Sequence, residues 1–101
     1  MGKLVANGSR LQISLKPQHS VGRGPEADLR LLYQEVSSNH ALIQFHEGHW
    51  FVMDLQSSNG TVVNKRAVPP QTWVALKEGD QLSFGHVEIS YQLIDAGPPE
   101  A

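Results

Sequence analysis

The chain has 101 residues, 40% apolar and 18% charged, with a formal net charge of −2, which is the size of one domain with one hydrophobic core and an ordinary soluble composition. No stretch approaches the roughly 20 apolar residues that cross a bilayer as a helix, and the eight Lys and Arg residues are scattered, so neither a membrane span nor a basic stripe tracking a nucleic acid is expected. With no cysteine, the fold cannot depend on disulfides or thiolate metal sites.

Met1-Gly2-Lys3-Leu4 opens a short alternating segment, without the long apolar run and small-residue cleavage site of a secretory signal. Ala6 stands where an N-myristoylation signal needs Ser or Thr. The expected location is therefore intracellular, with cytoplasm and nucleus not distinguished. Asn7-Gly8 is a hairpin signal between Leu4-Val5-Ala6 and the alternating run Leu11, Ile13, Leu15, because both residues tolerate the positive φ of tight primed turns. Pro25 precedes Ala27, Leu29, Leu31, Leu32, Tyr33 and Val36, whose spacing fits one or two helical turns. Glu47-Gly48 separates the runs 40–46 and 49–54 as a second hairpin. Short apolar runs at 61–63, 73–76 and 81–84 are punctuated by Asn59-Gly60, Pro69-Pro70, Gly79-Asp80 and Gly85. Val87, Ile89, Tyr91 and Leu93 alternate with polar residues in a last half-buried strand. Many short strands with frequent turns predict a β-sandwich or barrel. The tail from Asp95 to Ala101 has linker composition, so residues 1–95 are expected to form the domain, and 96–101 a tail joining a larger protein.

Five polar groups stand at predicted strand ends or turns: Gly22-Arg23-Gly24, Ser37-Ser38-Asn39-His40, Asp54-Leu55, Ser57-Ser58-Asn59-Gly60-Thr61, and Asn64. Loops held by a rigid sandwich are where binding residues concentrate. Ser, Thr, Asn and Arg hydrogen-bond phosphate oxygens without doing chemistry on them. Read singly, each has a plainer role. Arg23 would be a solvated surface residue, the serines and Asn59 ordinary turn formers, and His40 a structural hydrogen-bonding histidine. Trp50, Phe51, Phe84 and Tyr91 are expected in the core. Lys65-Arg66 reads as a solvated turn, and His46, His49 and His86 lack partners at metal-ligand spacing.

Taken in order, Gly22-Arg23, Ser37-x-x-His40 and Asp54-Leu55-x-Ser57-x-Asn59-Gly60-Thr61-x-x-Asn64 closely resemble the signature of the forkhead-associated (FHA) family. Leu76-x-x-Gly79-Asp80 and Phe84-Gly85 are similar to its C-terminal pattern, so the resemblance runs from about residue 4 to residue 94. It implies an 11-stranded antiparallel β-sandwich with binding loops at one end, and it turns 28–31 into a short strand in place of the helix. It also implies a non-enzymatic module without cofactor or metal that docks phosphothreonine-bearing proteins in signalling. Arg23, Ser37 and Ser58 match the phosphate contacts, and Asn59 matches the residue that clamps the peptide main chain. Gly22, His40, Gly60, Thr61 and Asn64 match loop-structuring positions. At Ser38, many relatives carry Arg or another long polar residue reaching the phosphate; serine offers a hydroxyl and no charge. That departure keeps open a second reading, in which the same fold serves as a scaffold or oligomerisation module without phosphate. A triad drafted from a serine, His40 and Asp54 has no nucleophile-elbow motif behind it.

Overall fold

The computed structural model describes residues 2–85 and 90–99. Their strands are β1 (Gly2–Ala6), β2 (Gln12–Ser14), β3 (Gln18–Gly22), β4 (Leu29–Arg30), β5 (Ala41–His46), β6 (His49–Asp54), β7 (Thr61–Val63), β8 (Arg66–Ala67), β9 (Val74–Leu76), β10 (Gln81–Phe84) and β11 (Ser90–Ala96). One sheet has the order β2-β1-β11-β10-β7-β8 and the other β4-β3-β5-β6-β9. Every pairing is antiparallel except β3 with β4. No helix occurs among the described residues.

The alternation of side chains decides which face of each strand is buried. Trp50 and Val52 of β6, Ala41 and Ile43 of β5 and Val21 of β3 point inward, against Leu4, Leu82, Phe84, Tyr91 and Leu93 of the opposing sheet. Each large apolar side chain buried in this way contributes about 1.5–3 kcal/mol. Phe84 meets Tyr91 with ring centroids 6.1 Å apart, and His40 edge-on at 5.9 Å. Trp50 donates its indole N–H to the Gly97 carbonyl at 2.9 Å. A Cβ on Gly2 would lie 2.2 Å from the same indole, so β1 can cross the ring only as glycine.

The Glu47-Gly48 hairpin forms with φ of 49° and 84°, the two positive values a two-residue primed turn requires. Asn7-Gly8 does turn the chain after β1, with Ser9 N–H on the Ala6 carbonyl at 3.0 Å, but only Gly8 takes a positive φ, of 84°, and residues 7–11 separate β1 from β2, so the turn is not the tight primed hairpin expected. Several expectations are corrected. The helical spacing after Pro25 yields β4 and turns, because Leu29 and Leu31 face the core while Leu32 is 71% exposed. Leu11 lies before β2 and is 68% exposed. Phe51 turns away from the core, since Trp50 beside it points inward, and it lines a surface groove of about 260 Å³ with Gln44, His46 and Trp73. Asn64 and Lys65 make a positive-φ turn, but Arg66 already belongs to β8. β11 continues through Ala96, one residue into the segment read as tail. His86, Val87 and Ile89 lie outside the described residues.

Candidate functional site

The pairing of Val21 with Ala41, of Ala41 with Asp54 and of Gly22 with Arg30 brings three connections to one end of the sandwich. They are residues 23–28, 31–40 and 55–60. Gly22 sets how closely the first two approach: a Cβ there would stand 2.1 Å from the Ser38 carbonyl oxygen. With glycine, the main chains lock together. Arg23 N–H donates to the Ser37 carbonyl at 2.9 Å, Gly24 N–H to that of Ser38 at 3.2 Å, and His40 N–H to that of Val21 at 2.9 Å.

The second and third connections are joined through His40, which is fully buried. Ser37 N–H donates to His40 Nδ1 at 3.1 Å, so that nitrogen is bare. The ring hydrogen therefore sits on Nε2 and is donated to the Gly60 carbonyl at 2.7 Å. Asp54, 3% exposed, organises the third connection from within. Its carboxylate accepts Ser57 N–H at 3.0 Å, the Ser57 hydroxyl, and the buried Thr61 hydroxyl at 2.7 Å. Ser57 Oγ in turn accepts Gly60 N–H at 2.9 Å. Gly60 closes the turn at φ 86°, where a residue with a Cβ would be strained.

On this frame the predicted binding residues converge. Ser37 Oγ accepts Ser58 N–H at 3.1 Å, which ties the two connections at the surface and leaves the Ser37 hydroxyl hydrogen unspent. The Ser58 and Ser38 side chains are exposed, and neither hydroxyl has a partner among the described residues. Asn59 donates from Nδ2 to the Glu35 carbonyl at 2.9 Å, so its Oδ1 and second amide hydrogen remain available. Arg23 is exposed and forms no ion pair among the described residues. A cavity of about 210 Å³ opens beside these loops, lined in part by Glu26, Ala27, Ser38, Asn39 and Leu55. The arrangement offers one guanidinium and up to three hydroxyls to an anion, with amide groups beside them.

Asn64 is not part of the cluster. It lies at the far end of β7, about 10 Å along the strand, where Nδ2 donates to Asp80 Oδ1 and Oδ1 accepts Gln81 N–H, both at 2.9 Å. The residue braces the β7–β8 turn against β10. Three contributors carried no sequence signal. Asp28 anchors the first connection: its carboxylate accepts Lys16 Nζ at 2.7 Å, Ser20 N–H at 3.0 Å and the Ser20 hydroxyl at 3.2 Å. The Lys16 hydrogen bond, followed by that of the Ser20 backbone, holds the Asp28 carboxyl down at about 2. The Glu35 main chain holds Asn59, and Arg30 donates from Nε to the Arg23 carbonyl at 3.2 Å.

A model of the FHA domain family matches residues 19–85. The oxoglutarate dehydrogenase inhibitor of Corynebacterium glutamicum is 34% identical over 85 residues, which is 84% of this chain and 55% of that protein. The chain thus spans about half the length of this relative. Among solved structures, the FhaA FHA domain complexed with the intracellular domain of Rv3910 superposes with a TM-score of 0.78 at 30% identity, covering 91% of this chain and 98% of that one. A structure solved for structural and functional analysis of phosphothreonine-dependent FHA domain interactions gives 0.76 at 32%, covering 91% and 95%.

Proposed function

The chain belongs to the FHA domain family, and we propose that it is a phosphothreonine-dependent docking module whose phosphate site is built from Arg23, Ser37 and Ser58, with Ser38 at its edge and Asn59 beside it for the peptide main chain. The observation that carries this reading is the convergence of an unpaired guanidinium and unspent hydroxyls on loops that share main-chain hydrogen bonds. The main chains that carry these groups are tied together before ligand arrives, so little backbone entropy is lost in arranging them. A phosphothreonine presents a charge of about −1.5 to −2. Four charge-assisted hydrogen bonds to it contribute on the order of 6–12 kcal/mol gross, comparable to an association cost of about 4–15 kcal/mol. Residues flanking the phosphothreonine must therefore supply the remainder, and dissociation constants around micromolar follow.

The module acts by binding alone. Both nitrogens of His40 are engaged, on Ser37 N–H and the Gly60 carbonyl, and Asp54 serves the Ser57 turn, so neither has the free geometry of a general base. Its place of action is inside the cell, where phosphorylated proteins are made.

The test is fluorescence anisotropy with an oriented phosphothreonine peptide library, alongside phosphoserine and unphosphorylated controls. Selective binding of the phosphothreonine set is expected. Equal binding of the unphosphorylated set would replace this reading with a phosphate-independent scaffold.

A further inference from the structure

Serine at position 38 removes a cationic contact, and the charge of a bound phosphate would then rest on Arg23 alone. The neighbouring strand carries a second guanidinium at the same end of the sheet. Arg30 is the register partner of Gly22, the residue before Arg23, and both arginines are exposed. The Arg30 head group is fixed by Nε–H on the Arg23 carbonyl at 3.2 Å. A guanidinium has five N–H donors, so this contact leaves its two terminal amino groups free. No acid pairs with Arg30 among the described residues. Asp28, two residues earlier, is already engaged by Lys16 and Ser20. The Arg30 guanidinium is thus held against the main chain of Arg23, at the mouth of the loop that carries the first guanidinium, with no paired acid among the described residues.

We propose that Arg30 is a second cationic contact for the phosphate, supplied from β4 in place of the charge that Ser38 lacks. The inference rests on the phosphothreonine reading above. It makes the site's charge a property of one edge strand and the loop it supports. The Nε anchor fixes the side chain before ligand arrives, so Arg30 binds with less entropy loss than a freely rotating cation.

The experiment titrates the wild-type chain, Arg30→Gln and Arg30→Lys with a phosphothreonine peptide whose flanking residues are all uncharged, followed by amide chemical shifts. The unphosphorylated peptide serves as control. Glutamine can still donate a hydrogen bond to the Arg23 carbonyl, so Arg30→Gln removes the charge while sparing the anchor. Because the site is exposed, Arg30→Gln is expected to weaken binding about three- to tenfold, with Arg30→Lys intermediate and the urea midpoint unchanged. Undiminished binding by Arg30→Gln, in a background where the wild type still prefers the phosphorylated peptide, would overturn the inference and leave the module reading intact. A second phosphothreonine peptide, with Asp next to the phosphothreonine, is titrated in parallel; a loss on Arg30→Gln seen only with that peptide would also overturn the inference, since Arg30 would then be reading a carboxylate. Equal wild-type affinity for the first peptide and its unphosphorylated control would remove the phosphothreonine reading itself, and this inference with it.

Discussion

Replacing Asp54 by alanine tests whether the third loop is held from within. The carboxylate accepts Ser57 N–H, the Ser57 hydroxyl and the Thr61 hydroxyl, and Thr61 has no exposed surface. In Asp54→Ala these donors face an apolar methyl group, at about 1–3 kcal/mol for each buried group left unsatisfied. Relief from burying a carboxylate offsets part of this, so a net loss of about 3–4 kcal/mol is expected. For a domain near 100 residues, each kcal/mol moves the melting temperature by about 4–8 °C, which gives a drop of roughly 12–30 °C. Urea unfolding followed by the fluorescence of buried Trp50 measures it. Asp54→Asn should fall between, since its amide would set two donors against each other at Ser57 N–H. A stability for Asp54→Ala within about 1 kcal/mol of wild type would refute the reasoning, because a solvated loop loses little when one side chain is removed.

Arg23→Ala should lower phosphopeptide affinity about ten- to hundredfold, the worth of one or two charge-assisted bonds, with an unchanged unfolding midpoint; calorimetric titration and urea curves give the two numbers. Gly22→Ala places a methyl group 2.1 Å from the Ser38 carbonyl, so the first two loops must part, and titration should show binding lost together with about 1–3 kcal/mol of stability. Binding should weaken as pH falls below about 6, where phosphate loses its second charge, and flat anisotropy from pH 8 to 5 would exclude a phosphate contact. Stability has its own slope in this region: burial lowers the pKa of His19 from 6.5, so the unfolded chain protonates first. The contribution is complete above 6.5 and declines as pH falls from there through the lower folded value. His19→Gln should flatten the stability slope in denaturant titrations at several pH values, and leave the binding slope in place.

The turns were readable because their chemistry is local. Glu47, Gly48 and Gly60 supply the positive φ that their positions demand, and the intervening alternation gives the strands. The inward face was readable where one strand face is plainly apolar, as at Ala41 and Ile43. It was misread at Phe51, because Trp50-Phe51 places two aromatics on opposite faces and only the cross-strand register decides which one is buried. The convergence of Arg23, Ser37 and Ser58 came from resemblance, since no local rule brings residues 14 and 21 positions apart together. Asn64 belonged to the same motif but serves Asp80 and Gln81, one strand length away. Asp28 and Arg30 left no trace in the pattern, because a single exposed charge looks the same whether solvated or fastened to a neighbouring main chain.

The most direct test of the phosphate site is an amide chemical-shift titration of the labelled chain with one phosphothreonine peptide and its unphosphorylated twin. The phosphorylated peptide should move Arg23, Ser37, Ser58 and Asn59 together in a single saturating transition, while the twin leaves them in place. Shifts confined to the Phe51 and Trp73 face, or the same shifts with both peptides, would contradict the account.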